Sequence, residues 1–339
     1  MSQTRPESAE ACAGANIAIV KYWGKRDVSR NLPAGSSLSL TLRELETTTR
    51  VSFTSQLTQD DVQLGGEPAP PVFARRVSKF LDRIRRLAGL KLSARVQTAN
   101  SFPTAAGLAS SASGFAALAV AACRAAGLTP GIDQLATLAR LGSGSATRSL
   151  LGGFVELQAG TRSDGADCRV RELGDAADWP LNLLVAVVGE GPKSLSSTAG
   201  MQHTVQSSPL YPAFLEANAA DLPLARDAVT SRDLQTLGKI AERSCLRMHA
   251  AAAGAAPGVL YFRGPTVELI HAVRRARNEG LYGYFTIDAG PHVKVLCESD
   301  AVDALRERLL AVDGVSRVLV ASPGPGARTV DPEQVDADR

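Results

Sequence analysis

The chain has 339 residues, 45% of them hydrophobic and 21% charged, which is enough apolar material for two domains' worth of core and too much for a disordered segment. Thirty-seven Lys and Arg against 34 Asp and Glu leave a formal charge of +3 with no long basic block; a dedicated nucleic-acid binder is disfavoured, and a small anionic ligand held by a few local cations stays open. The five cysteines and four histidines show neither CxxC nor HxxxH spacing, so no structural zinc site or disulfide scaffold is expected, and reduced thiols in the cytosol fit the pattern.

The first dozen residues carry Arg5, Glu7 and Glu10 and no apolar core, so no secretory signal is expected. The most apolar stretch, 115–122, is well short of the roughly 20 residues of a membrane crossing, and no membrane partner is expected. Short apolar runs predict strands at 17–20, 37–42 and 47–53. After a Gly- and Pro-rich turn, Val77, Phe80, Leu81, Ile84 and Leu87 recur at helical spacing and predict an amphipathic helix over 72–87. Its Arg75, Arg76, Lys79, Arg83, Arg85 and Arg86 read as a solvated face rather than a nucleic-acid patch. A strand at 91–98 follows, then a small-residue loop running into an alanine-rich helix that stops at Gly127, a helix at 132–141 and a strand at 154–158. The uninterrupted apolar run 182–188 predicts a buried strand. The second half reads as helices at about 213–229, 232–253 and 266–278, strands at 282–287 and 293–297, a helix at 301–311 and a strand at 317–320. That alternation suits an α+β sandwich, and the Gly-, Pro- and charge-rich stretch from 322 on reads as a loose end.

The segment Pro103-Thr104-Ala105-Ala106-Gly107-Leu108-Ala109-Ser110-Ser111-Ala112-Ser113-Gly114 leads small residues directly into a helix. Small side chains let backbone N–H groups approach a ligand, and a helix N-terminus presents unpaired N–H groups with partial positive charge, so phosphate fits there. Ser110, Ser111 and Ser113 add hydroxyls able to bond phosphate oxygens or a metal, although neither a Walker A lysine nor a GxGxxG spacing is present. On composition alone the segment reads equally as a serine-capped helix whose small residues allow close packing.

Residues 103–112 resemble the Pro-x-x-x-Gly-Leu-x-Ser-Ser-Ala loop of the small-molecule kinases that include galactokinase, homoserine kinase, mevalonate kinase and phosphomevalonate kinase. The fuller string from Asn100 to Ser111 is similar to that of the diphosphomevalonate decarboxylase branch. Ala15-Asn16-Ile17-Ala18-Ile19-Val20-Lys21-Tyr22-Trp23-Gly24-Lys25, Gly142-Ser143-Gly144-Ser145-Ala146-Thr147-Arg148-Ser149 and Phe285-Thr286-Ile287-Asp288-Ala289-Gly290-Pro291 agree, in the same order. The resemblance implies a two-domain α+β fold. Its N-terminal half is like domain 2 of ribosomal protein S5 over 1–190, its C-terminal half is ferredoxin-like over 191–322, and 323–339 is a loose tail. It further implies phosphorylation of the tertiary 3-hydroxyl of mevalonate 5-diphosphate by ATP, followed by loss of phosphate and CO2. ATP would be a co-substrate with Mg2+, with no organic cofactor, because departing phosphate itself supplies the electron sink. A cytoplasmic homodimer is the expected state.

By the same resemblance Asp288 is the catalytic aspartate facing the 3-hydroxyl; the local sequence alone also fits a turn-capping Asp. Arg148 would anchor the substrate carboxylate, Ser143 and Ser145 would lie nearby, and Tyr22 and Lys25 would meet the diphosphate. Ser197 and Met201 would line the substrate. Gly107, Leu108, Ala109, Ser110, Ser111 and Lys193 would hold ATP, with Ser111 also a catalytic residue and the candidate magnesium ligand. Lys21 is ranked below Lys25, Trp23 is read as packing, and the Met248-His249-Ala250 segment as structural. Gly35 and His292 depart from the family pattern, where asparagine is often found, so a mevalonate 3-kinase or a phosphomevalonate decarboxylase is an alternative, as is a non-catalytic ligand sensor on this fold.

Overall fold

The computed structural model describes residues 8–102, 110–174, 179–189 and 195–330. In chain order its strands are β1 (Ser8–Val20), β2 (Lys25–Asp27), β3 (Leu32–Pro33), β4 (Ser37–Thr54), β5 (Asp61–Leu64), β6 (Glu67–Pro68), β7 (Ser93–Asn100), β8 (Phe154–Gln158), β9 (Arg169–Glu172), β10 (Leu181–Val188), β11 (Gly283–Thr286), β12 (Val293–Glu298), β13 (Val315–Ala321) and β14 (Arg328–Val330). The helices are α1 (Pro71–Ala88), α2 (Ser110–Ala125), α3 (Ile132–Gly142), α4 (Ser197–Ser207), α5 (Tyr211–Thr230), α6 (Leu234–Ala253), α7 (Gly264–Asn278) and α8 (Val302–Leu310).

Two long strands organise the first half. The apolar runs read separately at 37–42 and 47–53 are one strand, β4, which pairs antiparallel with β1 across irregularities at Gly14/Asn16 and Ala18/Val20. The pairing needs a glycine at 14, because a Cβ there would stand 2.1 Å from the Leu42 carbonyl oxygen. Around this ribbon the first sheet runs β14-β1-β4-β7-β5-β6, with β8 on β4 and β9 on β8. Helix α2 lies against β1 and β4; its Ala116, Ala117, Ala119, Ala121 and Ala122 are fully buried, so the small side chains serve close packing as the composition allowed. Helix α1 buries Val77, Phe80, Leu81 and Ile84 as its periodicity predicts, but Leu87 in its last turn is left 62% exposed.

The second sheet runs β11-β12-β10-β13, antiparallel throughout. Alternation along β10 explains its unbroken apolar run. Leu184, Ala186 and Val188 meet α7 and α8, while Leu183 and Val185 face α5, α6 and the inner residues Ile17, Ile19, Leu38 and Leu40 of the first sheet. The α5–α6 pair therefore shares a core with both sheets. Fully buried Glu156 of β8 adds a polar tie to it, accepting from Arg226 of α5 at 2.7 Å on each oxygen and from Arg171 at 3.0 Å.

Strand β10 pairs only within the second sheet, although it lies ahead of the division expected at 190. The stretch from 322 to 330 is not loose. Arg43 N–H donates to Ser322 O, Gly324 N–H donates to Thr41 O, and β14 pairs with β1. Its glycines meet a need for close approach, since a Cβ at 324 would lie 2.4 Å from the backbone nitrogen of Arg43. No described helix is long and apolar enough to cross a membrane.

Gly14→Ala is expected to cost about 1–3 kcal/mol through overpacking against the β4 backbone. Gly264→Ala, in a position where a Cβ meets nothing within 4 Å, is expected to stay within about 0.5 kcal/mol of the parent. Urea unfolding midpoints of the two variants check the contrast.

Candidate active site

Where β1 ends, the chain delivers Lys21 into the gap between the halves. Its peptide is clamped from both sides: the N–H donates to Ser244 Oγ at 2.9 Å and the carbonyl accepts from Asn218 Nδ2 at 2.7 Å. The clamp closes on itself, because Ser244 Oγ donates to Asn218 Oδ1 at 2.9 Å. So held by α5 and α6, the Lys21 ammonium donates to Asp288 Oδ1 at 2.8 Å, and Lys294 of β12 approaches Oδ2 at 3.1 Å. Both lysine side chains are 1% exposed and Asp288 is 30% exposed. Burial works to raise the Asp288 pKa, but Lys21 and then Lys294 outweigh it and hold the carboxyl well below the usual carboxylate range.

Asp288 opens onto a cavity of about 300 Å³. Tyr22, Lys25, Ser110, Ser111, Ser143, Ser145, Arg148, Ser197 and Met201 line it too, so every expected site residue within the described part of the chain meets at one place. Gly107, Leu108, Ala109 and Lys193 lie outside the described residues. The glycine-serine segment reaches the cavity through a 3-10 turn, Ala146–Leu150, that carries Arg148.

Arg148 is 3% exposed. Its Nε donates to Asn16 Oδ1 at 3.2 Å and its Nη1 to Ser37 Oγ at 3.0 Å. Asn16 is held in turn, donating to Ser149 Oγ at 2.8 Å and to Ser145 O at 3.0 Å. Burial pulls the Arg148 pKa down to about 10, against the opposing influence of Tyr22 and Asp288, which leaves a cation at neutral pH. Among the described residues no carboxylate forms an ion pair with it, so its charge is open to an anionic ligand.

Tyr22 lies beneath that guanidinium, ring centroid to Cζ 5.4 Å, and above Gly144, where a Cβ would stand 2.3 Å from the phenol oxygen. Its hydroxyl is buried without a hydrogen-bond partner among the described residues and borders the cavity. Burial pushes its pKa up. Lys25 donates to Asn31 Oδ1 at 2.6 Å, and Asn31, at φ 52°, donates back to Arg140 O at 2.9 Å. Burial, assisted by Arg76, lowers the Lys25 pKa. Ser143 and Ser145 are 3.2 Å apart through their hydroxyls. Helices α2 and α4 both begin at the cavity wall, α2 with Ser110 and Ser111 and α4 with Ser197 and Thr198, so two positive helix ends add to the cations.

Some contributors were not legible. Arg76, read as part of a solvated helix face, lines the cavity, with its guanidinium over Phe115 and donating to Gly142 O at 2.8 Å. Asn16 lay in a quoted motif without a role. Lys21, ranked below Lys25, touches Asp288. Lys294 belongs to no motif, although a lysine between Val293 and Val295 in an otherwise buried strand is a signal in itself. Trp23 packs with Met201, Tyr211 and Met248 as read, while also lining the cavity. His249 is buried beside Phe262, and His292 accepts the Val188 N–H through Nδ1 at 3.0 Å. No group of three His, Cys, Asp or Glu side chains able to hold a metal occurs among the described residues. The arrangement suits an anion with two charged ends and a hydroxyl between them: a buried arginine for a carboxylate, a cationic and hydroxyl-rich wall for phosphates, and an ionised carboxylate to accept the hydroxyl's proton in a hydrogen bond.

A family model for the diphosphomevalonate decarboxylase-like N-terminal domain matches residues 13–170, and one for the mevalonate 5-diphosphate decarboxylase C-terminal domain matches 183–321. The gap between them precedes most of β10, in agreement with the sheet topology. Diphosphomevalonate decarboxylase from Gibberella zeae is 37% identical over 324 residues, 90% of this chain and 85% of that protein. The crystal structure of mevalonate diphosphate decarboxylase from Staphylococcus aureus matches with a TM-score of 0.91 at 35% identity, covering 96% of this chain and 98% of that one. MDDEF in complex with MVAPP, AMPPCP and magnesium matches with a TM-score of 0.89 at 38% identity, covering 96% and 99%.

His249 generates a pH prediction. Burial first, then Lys21, lowers its pKa from 6.5 to about 4. As pH falls below 6.5 the unfolded chain takes up a proton that the folded one refuses until about 4, so stability declines across that window and is full above it. The component is about 3 kcal/mol. His249→Gln is expected to flatten the difference in unfolding free energy between pH 7 and pH 4.5, measured by urea titration at each pH.

Proposed function

The chain belongs to the diphosphomevalonate decarboxylase family, and from that membership we propose that it converts mevalonate 5-diphosphate and ATP to isopentenyl diphosphate, ADP, phosphate and CO2. The observation that carries the reading is the convergence of Asp288, ionised between two lysines, and buried Arg148, without an acidic partner among the described residues, on one cavity.

Arg148 grips the C1 carboxylate. With Nε and Nη1 committed to Asn16 and Ser37, its orientation is set before the ligand arrives. Tyr22, Lys25, Ser143 and Ser145, joined by Arg76, receive the diphosphate, and this abundance of donors favours two phosphates over one or none. Ser197 and Met201 bound the carbon skeleton. The N-terminus of α2, with Ser110, Ser111 and the preceding Gly107, Leu108 and Ala109, receives the ATP phosphates, and Lys193 would complete their neutralisation. The hydroxyl-rich start of α2, with no cluster of carboxylates among the described residues, fits Mg2+ that arrives with the nucleotide. Ser111 would be its protein ligand, and the ion supplies charge neutralisation on the phosphates.

Asp288 accepts a hydrogen bond from the tertiary hydroxyl and aims it at the γ-phosphoryl group. A carboxylate held so far toward its ionised form is a weak base, which suits a largely dissociative transfer in which the proton leaves late. Once the C3 oxygen carries phosphate, the C3–O bond breaks and the C1–C2 electrons become the C2=C3 double bond. CO2 departs without any organic cofactor as electron sink. The reading places the protein in the cytosol, in keeping with five buried free cysteines. It takes a homodimer as the assembly, which sedimentation tests.

With ATP and Mg2+, mevalonate 5-diphosphate is expected to give one CO2 per ADP. The monophosphate and mevalonate are expected to turn over at least about tenfold more slowly, each lost contact to a charged group contributing about 1.5–3 kcal/mol. ADP without CO2 would make the protein a kinase instead. Asp288→Asn is expected to lower kcat about 10²–10³-fold.

A further inference from the structure

Strand β12 is an unusual place for a lysine. Val293, Val295, Leu296 and Cys297 are all fully buried, and Lys294 among them is 1% exposed. Its register partners are Thr286 on β11 and Val185 on β10. Val185 and Leu296 belong to the core facing β1, and Thr286 Oγ1 donates to Ala18 O of β1. The lysine stem therefore runs through apolar surroundings toward the end of β1, and its ammonium meets Asp288 Oδ2 at 3.1 Å. A buried ammonium is costly and a buried pair is a poor source of stability, so a second cation on a carboxylate that Lys21 already binds asks for another explanation.

We propose that Lys294 is a positioning residue of the phosphoryl-transfer step, tethering Asp288 Oδ2 while Lys21 tethers Oδ1. This rests on the decarboxylase reading. With both oxygens held, the carboxylate keeps one rotamer and stays ionised at the cavity floor. Two ammonium groups against one carboxylate also leave a net positive charge beneath the tertiary hydroxyl, where phosphate accumulates after transfer. The groups facing Asp288 are Lys21 just past β1, Lys294 from β12, Arg148 from the 3-10 turn, and Cys245 and His249 from α6. Of these only the two lysines hydrogen-bond its carboxylate oxygens among the described residues.

The test follows ADP and CO2 release by the full chain with ATP, Mg2+ and mevalonate 5-diphosphate for the parent, Lys294→Met, Lys294→Arg, Asp288→Asn and Asp288→Asn/Lys294→Met. Lys294→Met should lower kcat about 10- to 100-fold with KM for ATP and for mevalonate 5-diphosphate within about twofold. Lys294→Arg, which keeps the charge, should return most of the rate. On the Asp288→Asn background, loss of the lysine should add less than about threefold, because its partner is already neutral. A kcat within about twofold of the parent, a loss carried by KM instead of kcat, or a loss that multiplies in full on Asp288→Asn overturns the proposal. Should Lys294→Met not fold by circular dichroism, Lys294→Gln takes its place under the same criteria. Should that fail to fold too, Lys294→Arg decides: a kcat more than about tenfold below the parent overturns the proposal, because the charge is kept. A parent that releases neither ADP nor CO2 refutes the decarboxylase reading itself and is recognised before any variant is compared.

Discussion

The carboxylate of Asp288 is held between two ammonium groups that reach it from different parts of the fold, and most of the architecture serves that meeting. Lys21 follows the end of the longest ribbon of the first sheet, Asp288 lies in the bend just past β11 of the second, and Lys294 is on the neighbouring β12. The lysine at 21 does not hang free from its strand; Asn218 and Ser244 hold its peptide from α5 and α6. The helix pair that shares a core with both sheets thus also sets the register between them at the site, which links ordinary core packing to the placement of one ammonium within hydrogen-bonding distance. A buried cluster of this kind is not where a fold gains its stability. Its value lies in an ionised acceptor that is fixed in place before any ligand binds.

The surroundings extend the same logic. Lys21, Lys294 and Arg148 are buried cations, with Asp288 the one carboxylate paired among them within the described residues, and Lys25, Arg76 and two helix N-termini stand at the wall. Desolvation strengthens every one of these fields, and Arg148, which has no acidic partner among the described residues, gains compensation only when an anion enters. The unpartnered Tyr22 hydroxyl belongs to the same pattern, since the site is incomplete in hydrogen bonds as well as in charge until a polyanion occupies it.

What was legible in the sequence follows from how local each signal is. Arg148 sits in a run of small residues and Asp288 between a strand and an Ala-Gly-Pro turn, where a lone charged side chain stands out, and both line the one cavity. Helix α1 was readable from its 3.6-residue period, and β10 from an apolar run that only a strand covered on both faces can carry. Arg76 was not readable, because whether one arginine of a basic helix faces solvent or a cavity depends on where α1 docks. Lys294 was hidden for a related reason: its partner lies six residues earlier, in the turn between β11 and β12, and only the path of that turn brings the two side chains together. The stretch after 322 misled because glycine and proline mark looseness and close approach alike, and only the hydrogen bonds to Thr41 and Arg43 tell them apart. The membership of β10 in the second sheet is a property of pairing, which no single strand's composition encodes.

A tension runs through the chemistry this site supports. A buried arginine on the C1 carboxylate stabilises the very charge that decarboxylation removes, and if that were its whole effect it would slow the reaction. Under the proposed assignment the two roles would be separate. Arg148 is braced by Asn16 and Ser37, so its contact would fix the direction of the C1–C2 bond. The two lysines, with one carboxylate between them, would leave positive charge for the phosphate formed on the C3 oxygen, whose departure would let the C1–C2 electrons fall toward C3. The cation that opposes loss of CO2 would thus be met by two that favour the leaving group. Alignment by the arginine would be gained at binding, while the lysines' contribution would grow only as the C3–O bond lengthens.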